Sequence, residues 1–389
     1  MDSLKAIVIG AGIGGLTTGI ALLQAGYEVE VRDRVRELRP VGAGISLWSN
    51  GCKVLNHLGL GKKLAAIGGT MNYMEYRQIT GDMLNHISLQ PLIEEVGQRP
   101  YPVARRDLQQ ILLDTYLEYG GKLQLGAKCI GIMDSFRDVT AKFEDGSTLT
   151  ADLLVAADGV RSQLREYILG DRIEPKYAGY VNWNGLVPMS SDLAAEDTWS
   201  IYVGDHKRAS VMPVAGDRFY FFFDVPLPRG TVNQVDRYRD ELRHHFQGWA
   251  EPVQLLIDRI DPETVARVDI HDVGPINKMV KGRVALLGDA AHATCPDLGQ
   301  GGCQAIEDAW VLANYLKSTT VSVPDALRRY EQERKVRTTE IVNKARSRAE
   351  AIHGKDPEVT QKWYQQLATE NPLDVTKAIA KIITGGPLH

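Results

Sequence analysis

Cysteine is scarce in this chain, with four among 389 residues, at positions 52, 129, 295 and 303. That density excludes a disulfide-stapled secreted scaffold, and the spacings match no metal-ligand pattern. Cys295 and Cys303 flank a Gly-Gln-Gly loop and invite a redox reading, yet small buried thiols are the simpler expectation. Excess positive charge is also missing. The net charge is −4 and no basic run interleaves with aromatics, so no nucleic-acid partner is expected. Residues 6–26 carry no charge, but six glycines interrupt them. A buried nucleotide fold is therefore expected rather than a membrane span or signal sequence, in a cytoplasmic protein without a membrane partner. Repeats and low-complexity segments are absent.

What is present begins with Gly10-Ala11-Gly12-Ile13-Gly14-Gly15. Residues 5–9 read as a short apolar strand, the glycines permit a tight turn, and residues 16–25 follow as a helical run. A pyrophosphate suits such a helix N-terminus, where free N–H groups and the dipole favour negative charge. Asp33 stands 21 residues after Gly12, at the end of an apolar strand over 27–31, where a carboxylate accepts hydrogen bonds from an adenosine ribose. Strand, turn, helix and acid in register predict a Rossmann-type domain in an α/β fold, with Gly10, Gly12 and Gly15 as its motif glycines. Two further apolar strands end in Asp158-Gly159 and Gly288-Asp289. Either aspartate alone reads as a loop cap, whereas both together suit sugar hydroxyls. With 44% hydrophobic and 24% charged residues, the chain is long enough for two interleaved domains.

In order and spacing these three motifs resemble the flavoprotein aromatic hydroxylase family, of the p-hydroxybenzoate hydroxylase type, up to about residue 350. The resemblance implies FAD as cofactor, with its pyrophosphate on the glycine turn, Asp289 on the ribityl chain, and Asp158-Gly159 beside both FAD and a transient NADH. It also implies FAD contacts from Ser46, from Arg105 (Arg106 if the register slips by one) and from the backbone of Cys129. Gly299, Gln300, Gly301 and Gly302 are expected along the isoalloxazine edge. Two positions depart from the family pattern: Asp33 stands where relatives usually carry Glu, and Ser49 replaces a common Pro. Segments 177–185, 218–228 and 296–302 narrow the resemblance to members acting on urate. That implies hydroxylation of urate to 5-hydroxyisourate with NADH and O2 through a flavin hydroperoxide, in purine catabolism. The alternative substrate is a phenolic or nicotinate-type acid. An ordinary NAD-dependent dehydrogenase fits less well, because no second Gly-x-Gly-x-x-Gly follows another strand.

The pattern predicts an FAD-binding domain over 1–175, an inserted antiparallel-sheet substrate domain over 176–273, a return to the FAD domain over 274–350, and a C-terminal helical region over 351–389. That last region is either a homodimer contact or a solvated end. Within the insert, strands are expected over 180–187, 199–203, 208–214 and 218–225. If Ala215-Gly216-Asp217 is a three-residue turn, position 212 pairs with 220 and 208 with 224, which puts Arg208 and Tyr220 on one face; a two-residue turn would separate them. The resemblance implies that this Arg and this Tyr activate substrate. Asn182 is the expected amide contact, with Asn184 two residues on. Asp297 is the least ordinary residue of the 296–302 loop. It either relays a proton or binds a purine N–H, or it caps the following helix. His292 is read as scaffold, not as a catalytic base.

Overall fold

The computed structural model describes residues 3–39, 42–318 and 321–388. Its first sheet has six strands in the order Val280–Lys281, Val284–Leu286, Leu153–Ala156, Lys5–Ile9, Glu28–Arg32 and Lys122–Gln124. All neighbours are parallel except the first pair. Leu153–Ala156 is buried at every position, the continuous apolar pattern demanded of a parallel strand covered on both faces. The helix Ile13–Gln24 follows the glycine turn and packs against Gly301–Leu316 and Arg105–Glu118. Strands of one parallel sheet thus end near Gly10, Asp158 and Gly288, where a dinucleotide site is expected.

The second sheet has seven strands, in the order Ala266–Asp272, Lys176–Pro188, Arg218–Pro226, Lys207–Val214, Thr198–Gly204, Tyr73–Gln78 and Met83–Ser88. It is antiparallel apart from the pair Thr198–Gly204 and Tyr73–Gln78. Its last two strands come from upstream, so the sheet is not confined to 176–273. Val214 pairs with Arg218, leaving a three-residue turn in which Gly216 and Asp217 have φ of 78° and 50°. Met212 therefore opposes Tyr220 and Arg208 opposes Asp224. The two-residue alternative does not occur.

Alternation sorts this sheet into two unlike faces. Trp183, Phe219, Phe221 and Phe223 lie in an apolar core with residues of the helices Tyr238–His245 and Glu251–Arg259. The opposite face carries Tyr180, Asn182, Asn184, Arg208, Tyr220 and Asp224, by the pairing of the three central strands. Toward the Thr198–Gly204 strand that face becomes apolar, with Ile201 and Val203 packed on Ile352, Trp363 and Leu367. The covering helices are Val323–His353, N-capped by Ser322, and Pro357–Thr369, N-capped by Asp356. Asn371 caps a further helix, Pro372–Thr384, so the region beyond residue 357 is two helices. No described helix is long and apolar enough to cross a membrane.

Candidate active site

The glycine turn after Lys5–Ile9 has room only for glycine at two of its motif positions. A Cβ on Gly10, whose φ is 113°, would lie 2.2 Å from the Ala157 carbonyl oxygen, and one on Gly15 would lie 1.8 Å from that of Gly10. At Gly12 and Gly159 a Cβ would meet nothing within 4 Å, so backbone there faces open space. Gly12 is the N-cap of Ile13–Gln24 and no side chain caps that helix, leaving its first N–H groups for an anion. Asp33 lies beside this turn, with Oδ2 accepting from Ala11 N at 2.7 Å and Oδ1 from Val35 N at 3.0 Å. Its carboxylate holds the turn while keeping lone pairs for a sugar hydroxyl.

Asp158 Oδ2 accepts from the backbone of Gln163 and Leu164, whereas the buried Oδ1 has no hydrogen-bond partner among the described residues. One oxygen caps a helix and the other is spare. Asp289 is exposed at its strand end, close to Gly301, where a Cβ would approach its Oδ1 at 4.0 Å. Cys129 is a buried residue opening the strand Cys129–Asp134, and its thiol turns to the Gly131 carbonyl. All four cysteines are free and buried. Burial pushes the Cys303 thiol up to about 12, which removes its thiolate chemistry.

The strand Gly44–Leu47 lies between the glycine loop and the polar sheet face. A Cβ on Gly44 would strike the Tyr220 ring at 2.3 Å, and one on Gly299 would lie 2.9 Å from Ser46 Oγ and 2.6 Å from Trp48 Nε1. Gly302 abuts Ile45 in the same way. Asn184 ties the sheet to this strand by accepting from Ala43 N at 2.7 Å, while its own amide donates to Asn182 Oδ1 at 2.7 Å. Arg105 opens its helix just past the partner strand Tyr101–Ala104. The Tyr220 phenol is raised by burial, against the opposing charge of Arg105, and stays protonated near neutrality. Its hydroxyl has no hydrogen-bond partner among the described residues.

Arg208 is not a surface residue; it is 9% exposed. Its Nε donates to Asp224 Oδ2 at 2.8 Å, and Nη2 reaches Asp224 Oδ2 at 2.7 Å and Asp297 Oδ1 at 3.1 Å. Nη1 makes no hydrogen bond among the described residues. Asn182 Nδ2 donates to the other Asp224 oxygen at 2.7 Å, and the Tyr180 hydroxyl donates to Asp297 Oδ2 at 2.6 Å. The helix Gly301–Leu316 begins at Gln300 with no side-chain cap, so the capping reading of Asp297 is corrected. Its carboxylate turns away from that helix and into the ion cluster. Burial opposes the charge of Asp297, but His353, Arg208 and Tyr180 outweigh it and lower the group to about 2. Asp224, Tyr180 and His353 were not singled out in the sequence. Asp224 had a signal, a lone charge in the run Phe221-Phe222-Phe223-Asp224-Val225.

Gln300 contributes backbone only. Its side chain is buried and accepts from Asn50 and Gln304. Behind it Glu307 accepts from Asn50, Arg334 and Arg337 at 2.6–2.8 Å. Asp308 joins Arg334 Nε at 2.6 Å, His292 Nε2 at 2.6 Å and Gly288 N at 2.9 Å. His292 is thus a structural partner that fixes the Gly288-Asp289 turn. Glycine cradle, two uncapped helix N-termini, carboxylate oxygens and a polar sheet face are linked through Gly44–Leu47 and the 299–302 loop, a donor and acceptor set whose chemistry fits a flavin dinucleotide with a small polar ring beside it.

Comparison with known proteins agrees with this geometry. Residues 3–345 match the family model described as FAD binding domain. The chain is 47% identical over 388 residues to an FAD-dependent urate hydroxylase of Klebsiella pneumoniae, covering 99% of this chain and 100% of that protein. An FAD-dependent urate hydroxylase of Mycolicibacterium vanbaalenii is also 47% identical over 388 residues, covering 99% of this chain and 98% of that protein. The crystal structure of Klebsiella pneumoniae HpxO complexed with FAD and uric acid superposes with a TM-score of 0.96 at 46% identity, covering 99% of this chain and 98% of that one.

Proposed function

The chain belongs to the FAD-binding domain family, and from that membership we propose that it is an FAD-dependent monooxygenase that hydroxylates urate. The balanced reaction takes urate, O2, NADH and a proton to 5-hydroxyisourate, NAD+ and water. Bound in the cradle, FAD supplies oxygen activation, with electrons from NADH. Gly10, Gly12 and Gly15 with the first turn of Ile13–Gln24 hold its pyrophosphate, Asp33 and Asp289 its sugar hydroxyls, and the backbone of 299–302 its ring edge. Ser46, Arg105, Cys129 and Asp158 line the remainder.

The protein's own contribution is to bind, orient and keep dry the purine. Urate is an anion at neutral pH, and Arg208 meets it through the uncommitted Nη1. Tyr220, protonated by virtue of its burial, donates to a purine oxygen or nitrogen. Asn182 presents its remaining amide hydrogen to the purine edge with Asn184 holding it in place, and Asp297 accepts a purine N–H or a proton through the Tyr180 hydroxyl. The observation that carries the reading is Arg208 and Tyr220 on one sheet face, Tyr220 packed against Gly44 and Arg208 bonded to Asp297 of the 296–302 loop. A phenolic or nicotinate-type acid would leave much of this polar set without partners. NADH binds transiently, and the protein acts in the cytoplasm, as a homodimer if its helical end self-associates.

The test is NADH and O2 consumption by the purified FAD-loaded protein with and without urate, following urate and hydrogen peroxide in the same sample. Urate-dependent turnover with matching urate loss is expected. Untouched urate would remove the substrate assignment and leave the FAD fold.

A further inference from the structure

His353, the last residue of the helix Val323–His353, reaches the ion cluster from the C-terminal layer. Its Nδ1 lies 2.9 Å from the His206 carbonyl oxygen, which only accepts, so Nδ1 carries a proton. Its Nε2 is buried without a hydrogen-bond partner, 3.5 Å from Asp297 Oδ1 and 3.9 Å from Asp224 Oδ2. Ionised carboxylates also only accept. A neutral imidazole has one N–H, whereas this ring faces acceptors at both ends. Stacking on Tyr180 fixes it there, with centroids 4.1 Å apart and planes inclined by 27°.

Resting on the urate reading, we propose that His353 is a positioning residue: an imidazolium that shares the charge of Asp297 while Arg208 also meets the substrate anion. Asp297 Oδ1 is already shared, with Arg208 Nη2 at 3.1 Å and His353 Nε2 at 3.5 Å. Urate at Nη1 draws on the same guanidinium charge that Nη2 offers Asp297. A buried carboxylate whose cation is divided with a second anion is poorly compensated, and a second cation within a short movement offsets that. The groups facing His353 are Asp297 from its turn, Asp224, Arg208 and Tyr180 from three strands, and the His206 carbonyl. The His206 ring turns instead to Thr360 Oγ1, at 3.1 Å.

The experiment compares wild type with His353→Phe, which keeps a ring on Tyr180 but no N–H, and His353→Gln, which keeps one donor. For each FAD-loaded protein, KM and kcat for urate are measured, with FAD content and urate-independent NADH oxidation as controls. His353→Phe raises KM for urate about 30-fold, with kcat and the controls little changed. His353→Gln, which restores one donor, recovers part of KM. Variants that keep the wild-type KM while wild type turns over urate overturn this proposal alone. A wild type inert toward urate overturns the urate reading and this proposal with it. If neither variant retains FAD, 15N spectra of wild-type His353 decide the matter: protons on both nitrogens at neutral pH are expected, and a neutral ring overturns the proposal.

Discussion

Arg208 is tied to Asp224 on one side and, in the proposed reading, meets urate through Nη1 on the other. Arg208→Gln keeps an amide donor on a shorter side chain but withdraws the positive charge between Asp224 and Asp297. Urate-stimulated NADH oxidation should persist in that variant while urate conversion falls about 100-fold, the missing product appearing as hydrogen peroxide. The checking measurement is the ratio of peroxide formed to NADH consumed. Tight coupling would take Arg208 out of substrate activation. That Tyr220 and Arg208 share a face was legible in the sequence only on the condition of a three-residue turn, which the pairing of Val214 with Arg218 meets. His353 was not, since it lies 145 residues downstream of Arg208 and nothing local distinguishes it from the charged end of any long helix. Asp297 was legible as an oddity but not as an ion-pair partner, because its partners come from three other segments.

Among the elements, Gly44–Leu47 is a single strand between two groups, with Gly44 against the Tyr220 ring and Ile45 and Ser46 against the glycine loop. Gly44→Ala places a methyl 2.3 Å from the Tyr220 ring, inside any tolerable contact. The ring must move, so KM for urate should rise with the FAD-to-protein ratio nearly unchanged. Gly15→Ala should do the reverse. Its Cβ meets a backbone oxygen at 1.8 Å, and the purified protein should lose its yellow colour, read as the ratio of flavin to protein absorbance. The strand-turn-helix around Gly10 was readable because every residue of that unit obeys one local rule. Strands Tyr73–Gln78 and Met83–Ser88 escaped because their place in the second sheet depends on a parallel neighbour more than a hundred residues away.

Over the whole molecule, two buried carboxylates bear on acid stability. Asp297 is lowered to about 2 despite burial by His353 and Arg208, and Asp308 likewise to about 2 by His292 and Arg334. A depressed carboxylate stabilises the fold fully above its ordinary value near 3.8 and loses that stabilisation as pH falls toward 2. Each contributes about 2 kcal/mol, so urea midpoints should hold from pH 7 down to about 4 and then drop steeply. A flat midpoint through that lower window would show that the two pairs do not couple to unfolding. The interleaving of the two sheets carries a different consequence, for the order in which the chain emerges during synthesis. The first sheet opens with Lys5–Ile9 but gains Val284–Leu286 only late, and the second waits from Tyr73–Gln78 until Ala266–Asp272. Neither sheet is complete until those late strands are made, so the nascent protein carries unpaired strand edges through a long stretch of its synthesis. Folding of both sheets then waits on synthesis through Val284–Leu286, and chaperone demand should fall on the ribosome-bound intermediate.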